Sequence, residues 1–240
     1  MKSYSITDIG EKRKINQDFV FCEQDTIGGL PNLFIVADGM GGHNAGDYAS
    51  RFCVEVFTEK IRENKPKSPI GMISDALLET NDLLLDEAKE NSGLQGMGTT
   101  FVVATIIDSI LYVANVGDSR LYVIGDEMKQ ITEDHSLVQE MVKTGEIEKE
   151  EVRFHPNKNI ITRALGASKT VVPDYFEVTL NKDDTVLMCS DGLSNMLEDK
   201  EIFGIIKEHQ DDLETAAKTL VKKANENGGK DNISIVLVNL

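Results

Sequence analysis

Apolar residues recur along this chain in two rhythms. Short runs at DFVFCE (18–23), NLFIVA (32–37), TTFVVATII (99–107), ILYVANV (110–116), RLYVIG (120–125), TVLMCS (185–190) and NISIVLV (232–238) predict strands. The runs at 110–116 and 233–238 are apolar on both parities, which predicts strands covered on both faces. Between Ala45 and Asn91 the period lengthens. Ala49, Phe52 and Val56 share one helical face, and Ile73, Leu77, Leu84 and Ala88 share another, predicting two helices around the loop ENKPKSPIG (63–71). A later helix carries Leu213, Ala217, Leu220 and Ala224 and stops at NGG (227–229), where Gly228 or Gly229 can take the left-handed cap conformation. The block from Thr99 to Thr132 has connections too short for crossover helices, and IIDSIL and IGDEMK read as hairpins. Antiparallel sheets covered by helices follow, an α+β fold rather than a doubly wound parallel sheet.

Composition narrows the picture. The chain has 240 residues, enough for a substantial core. With no linker, repeat or low-complexity tract, a single domain is expected. A formal net charge of -16 argues against nucleic acid or an anionic membrane as partner, because both are polyanions. It suits cation binding, although surplus carboxylates also serve solubility. Three widely spaced cysteines with no CxxC pair favour a reducing compartment. The N-terminal stretch lacks the apolar core of a signal peptide, and the longest apolar runs are too short to span a bilayer. A cytoplasmic location is expected.

Several apolar runs end in an acid: LFIVADGM at Asp38, LYVANVGDSR at Asp118 and TVLMCSDGL at Asp191, while Asp231 stands just before a strand in GGKDNISIVLV. One Asp-Gly pair alone is most often a turn. Here two of these acids precede helical patterns, where the turn needs Gly but not Asp. Converging carboxylates ~4 Å apart repel by about 4 kcal/mol at an effective dielectric of about 20, so they need protons or cations. Oxygen-only ligands favour Mg²⁺ or Mn²⁺, and the four histidines show no zinc spacing. Paired hard cations usually serve phosphoryl chemistry, and Arg13 in TDIGEKRKINQD could fork a phosphate.

The stretches TDIGEKRKINQD, VADGMGGHNAGDYAS, GTTFVVATI, LYVANVGDSRLYVI, ITEDHSLV, ITRALG, CSDGLSNML and GGKDNISIVLV occur in this order across the chain. The ordered set resembles the metal-dependent protein phosphatases of type 2C, and most of all the compact bacterial members. The resemblance implies a four-layer α-β-β-α sandwich of two antiparallel sheets flanked by helices. It implies hydrolysis of phosphoserine and phosphothreonine with two Mn²⁺ or Mg²⁺ ions, by direct attack of a metal-bridging water. Asp38 would bridge the ions, the Gly39 carbonyl would bind one, and Asp191 and Asp231 the other. Asp118 would help hold a third, looser ion. Asp18 would orient water, Asn232 would brace the site from behind, and Arg13 would clamp phosphate. Met40 stands where many eukaryotic members carry a His. His43 matches the bacterial one, and would either protonate the leaving oxygen or shape the loop. Gln17 replaces a metal-binding Glu of eukaryotic members. About 136–164 resembles a mobile flap, in which His155 and Arg163 could influence substrate fit. Implied partners are phosphoproteins, with an opposing Ser/Thr kinase of eukaryotic type; a monomer is expected. A non-catalytic regulatory module and an esterase for small phosphate compounds are the competing readings.

Overall fold

The computed structural model describes residues 1–42, 45–63, 65 and 67–240. One antiparallel sheet has the order β1 (Lys2–Asp8), β11 (Ile233–Asn239), β10 (Thr185–Cys189), β7 (Arg120–Ile124), β8 (Met128–Gln130). The other has the order β2 (Asp18–Glu23), β3 (Leu33–Met40), β5 (Phe101–Ile107), β6 (Ile110–Val116), β9 (Asp174–Thr179), with the short β4 (Gly98–Thr99) paired to the end of β3.

Strand alternation builds three apolar layers between four structural ones. Phe34, Val36, Val102 and Ala104 of one sheet meet Leu121, Val186, Met188, Val236 and Val238 of the other. The opposite parity, with Ile35, Ala37, Val103 and Ala114, packs on Phe57 and Ile61 of α1 (Ala45–Glu63) and Ile73 and Leu77 of α2 (Pro69–Glu90). On the far side, Tyr122, Leu187, Ile235 and Leu237 pack on residues of three helices. These are Leu193 of α4 (Asp191–Ser194), Ile206 of α5 (Asp199–Glu208) and Leu220 of α6 (Leu213–Glu226). Each fully buried Val, Leu, Ile, Phe or Met among them contributes about 1.5–3 kcal/mol. The architecture is the expected α-β-β-α sandwich.

Asp108 and Ser109, at φ 49° and 63°, form the hairpin turn predicted from IIDSIL, with Ile107 opposite Ile110. The helix over 213–226 ends as expected, the Gly229 N–H donating to the Ala224 carbonyl at 3.1 Å. Two details differ from the sequence pattern. The buried face of α1 runs through Ala49, Cys53, Phe57 and Ile61, while Phe52 and Val56 flank it half-exposed. β1 and β9 were not anticipated, because both are edge strands with mixed faces that bury little apolar surface.

Between β8 and β9 the chain makes an excursion holding α3 (Leu137–Thr144) and a 3₁₀ segment, Lys149–Phe154. Its base is pinched where Ser136 bridges Ile161 and the Leu137 N–H donates to the Ile160 carbonyl at 2.8 Å.

Candidate active site

The residues singled out along the sequence converge. Arg13, Gln17, Asp38, Gly39, Asp118, Asp191 and Asp231 line one cavity of about 250 Å³. Asp38 arrives on β3, Asp118 in the β6–β7 turn, Asp191 in the first turn of α4 and Asp231 just before β11. His43 lies outside the described residues.

Asp18 stands directly opposite Asp38 in the β2–β3 register. Buried and facing a second acid, it is held by Ser190, whose hydroxyl donates to Asp18 Oδ2 at 2.7 Å and accepts from the Ser234 N–H at 3.0 Å. The backbone of Asp38 is pinned at both ends. Its N–H donates to Thr100 Oγ1 at 2.9 Å, and its carbonyl accepts from the Thr100 N–H at 2.8 Å. Thr100 Oγ1 in turn meets Ser119 Oγ at 2.7 Å, tying β3 to the turn that carries Asp118. Asn232 braces the other side. Its side chain donates to the carbonyls of Ile9 and Ile15 and accepts from the Gln17 N–H, which holds the Arg13 loop against β11.

Two close approaches depend on glycine. A Cβ on Gly39 would fall 2.0 Å from the Gly46 carbonyl oxygen, so the strand end and the first turn of α1 could not meet. A Cβ on Gly192 would fall 1.9 Å from the Asn232 carbonyl, separating Asp191 from Asp231.

Arg13 Nη2 lies 2.6 Å from Asp231 Oδ2. Its guanidinium resists deprotonation more than usual, because burial, which works the other way, is outweighed by Asp231 and by the more distant Asp38 and Asp191. The acids suffer each other's fields. Burial, with help from Asp191 and Asp231, lifts Asp18 to about 7 against the hydrogen bonds of Ser190 and Ser234. Desolvation and Asp231 lift Asp191 to about 6. Desolvation and neighbouring carboxylates hold Asp38 and Asp118 well above the usual carboxylate range.

These groups fit a hard divalent cation. Asp18 Oδ1 and Asp191 Oδ1 are buried with no hydrogen-bond partner, and the donors are all oxygen. Among the described residues no three His, Cys, Asp or Glu side chains form a finished ligand cage. The acids instead surround an open space, an arrangement suited to ions that retain several waters.

The supporting polar shell carries no signal in the sequence pattern. Thr100, Ser119 and Ser190 are buried hydroxyls whose type is common in any strand or turn. The partly buried amide of Asn195 also belongs to this shell: it donates through Nδ2 to Asp191 Oδ2 at 2.8 Å, one helical turn on. Arg163 is engaged elsewhere, with Nη1 3.0 Å from Asp174 Oδ1. His155 accepts from the Asn157 N–H and does not line the acid cavity.

Comparison with known proteins agrees with this geometry. The family model for protein phosphatase 2C matches residues 4–233. The serine/threonine phosphatase stp of Listeria innocua is 43% identical over 239 residues, covering 97% of this chain and 93% of that protein. The crystal structure of serine/threonine phosphatase Stp1 from Staphylococcus aureus superposes with a TM-score of 0.91 at 35% identity, covering 100% of this chain and 94% of that one. The catalytic domain of serine/threonine protein phosphatase PstP, solved in complex with two manganese ions, gives 0.86 at 28% identity over 99% of this chain and 97% of that one. With the acid cavity at the end of its paired sheets, this chain belongs to the protein phosphatase 2C family and is a Ser/Thr protein phosphatase, a phosphoric monoester hydrolase.

Proposed function

We propose that this protein removes phosphate from phosphoserine and phosphothreonine proteins in a reaction dependent on Mn²⁺ or Mg²⁺. The observation that carries the reading is the convergence of Asp38, Asp118, Asp191, Asp231 and Arg13 on one cavity. Asp38, the Gly39 carbonyl, Asp191 and Asp231 would hold two ions, and Asp118 would help with a third, looser one. When bound, the cations supply a lowered water pKa and charge to offset the phosphate oxygens.

The chain's own groups do the rest. Arg13 gives up a half-exposed ion pair of the kind worth about 0–1 kcal/mol and turns its fork to the phosphate at little cost. Asp18, fixed by Ser190, orients attacking water. Thr100 and Ser119 keep Asp38 in place, and Asn232 holds the Arg13 loop. His43 is the proton donor that the family resemblance offers for the leaving oxygen.

No covalent phosphoenzyme is needed. Cys53 and Cys189 are fully buried, which pushes the Cys189 thiol up to about 12 and Cys53 further still. Neither is a thiolate nucleophile at neutral pH. Cys22, half-buried beside Ser3, is also raised.

The excursion over about 136–164 acts as a flap on a single catalytic domain. The Listeria and Staphylococcus relatives are named as serine/threonine phosphatases, which supports phosphoproteins as substrates. An opposing Ser/Thr kinase is the partner that the family resemblance implies. A cytoplasmic, monomeric enzyme is part of this proposal. No helix among the described residues is long and apolar enough to cross a membrane.

Phosphate release from a phosphothreonine peptide tests the reading. Activity should require Mn²⁺, vanish with chelator and fall by several orders of magnitude in Asp38→Asn. Equal rates in all three conditions would refute it. Metal-loaded, folded protein without turnover would point to a regulatory module, and turnover of small phosphates alone to the esterase reading.

A further inference from the structure

Asn195 lies between the candidate ligand Asp191 and the excursion over 137–160. Its Nδ2 donates to Asp191 Oδ2 at 2.8 Å, and its Oδ1 accepts from Lys158 Nζ at 3.1 Å. An amide is suited to this place, since it presents a donor to the carboxylate and an acceptor to the ammonium. The excursion grips the same short segment a second time. Arg153 donates through Nη1 to the carbonyls of Ser194 and Leu197 at 3.1 and 3.2 Å, and through Nη2 to the Asn195 carbonyl at 3.2 Å. The Ser194 and Asn195 carbonyls belong to the end of α4, where helical acceptors lack partners, and Leu197 follows just after it. With Oδ2 engaged, Asp191 keeps Oδ1 buried and without a hydrogen-bond partner.

We infer that Asn195 is a positioning residue that couples docking of the 137–160 excursion to the orientation of Asp191, so that the seated excursion raises metal affinity. The inference rests on the metal reading above. Partners that orient a metal ligand are typically worth 10–100-fold in affinity. Coupling between two sites is reciprocal, so bound metal must also protect the seated excursion.

The role of Lys158 decides the matter by sign. As a bare positive charge near Asp191 it would repel a cation, and its removal would tighten binding. Acting through Asn195, it supports Asp191, and its removal weakens binding.

The experiment is Mn²⁺ titration calorimetry, with amide hydrogen exchange over 149–158, on wild type, Asn195→Leu, Lys158→Met and the double variant. Asn195→Leu should weaken Mn²⁺ binding about 10-fold. Lys158→Met should weaken it several-fold in wild type but not in the Asn195→Leu background. Mn²⁺ should slow exchange over 149–158 in wild type only. Tighter or unchanged binding in Lys158→Met, or the same effect in both backgrounds, overturns the coupling. Should Asn195→Leu fail to fold, Lys158→Arg restoring what Lys158→Met loses supports the relay, and failure to restore it sinks the relay. Wild type that takes up no Mn²⁺ removes the metal reading itself, whereas normal wild-type binding with insensitive variants removes only this inference.

Discussion

Arg13 and Asp231, 218 residues apart in sequence, meet as an ion pair with Nη2 2.6 Å from Oδ2. The same carboxylate is a candidate metal ligand, so guanidinium and cation compete for it. Removing the guanidinium should leave metal uptake intact or tighter while substrate binding suffers. A hydrogen bond to a charged group is worth about 1.5–3 kcal/mol. Arg13→Ala should therefore lower kcat/KM on a phosphothreonine peptide roughly 10- to 100-fold, mostly through KM. Steady-state kinetics and calorimetry with Mn²⁺ would check both halves. Weaker metal binding in the variant would contradict the competition.

Asp18 makes stability depend on pH. Its folded pKa is raised to about 7, above the unfolded carboxylate range, so the folded state binds the extra proton. That contribution is complete below the unfolded value and is lost as pH rises through about 7. Metal-free protein should lose on the order of 2 kcal/mol of it between pH 5 and 7. In Asp18→Asn the slope of Tm against pH should flatten over that window. An unchanged slope would show that the cluster carries its protons elsewhere.

His135 pulls the other way. It is buried, with Nδ1 accepting from the Gly117 N–H at 3.1 Å and Nε2 3.0 Å from Asp174 Oδ2, so the neutral ring carries its proton on Nε2. Burial first, then the nearby Arg163 and Lys143, depress its pKa against the pull of Asp174. This stability is present above the unfolded value and is lost as pH falls below about 6.5. The Tm difference between wild type and His135→Gln should shrink from pH 7.5 to pH 5. A constant difference would rule out titration at this ring.

Gly192 lets α4 lie against the loop before β11. Its missing side chain leaves room for the Asn232 carbonyl, which a Cβ would approach to 1.9 Å. Gly192→Ala should destabilise by about 1–3 kcal/mol as backbone moves apart. It should also weaken Mn²⁺ binding, because Asp191 and Asp231 flank the contact. A variant with native Tm and native metal affinity would show the approach to be unimportant.

Much of this was legible in the linear pattern. Central strands such as 110–116 and 233–239 are largely buried on both faces, and their Val- and Ile-rich runs, apolar on both parities, announce it. Edge strands β1 and β9 have half-exposed faces, so their composition carries little signal. The acids Asp38, Asp118, Asp191 and Asp231 could be singled out because each interrupts or adjoins an apolar run. Ser190, Thr100 and Asn195 could not, because an amide or hydroxyl takes its meaning only from the partner it reaches across the fold.

The sequence by itself determined the strand and helix periods, the antiparallel order and the four acids with their arginine. These follow from local rhythm and residue chemistry, which need no partner to be read. Tertiary structure alone decided that Asp18 opposes Asp38, that Arg13 rests on Asp231, and that Lys158 reaches Asp191 through Asn195. Each of these is a distance between segments far apart in the chain. The first is set by strand register within one sheet. The second is set when the two sheets pack face to face and bring the loop before β2 to the start of β11, and the third when the excursion seats on α4.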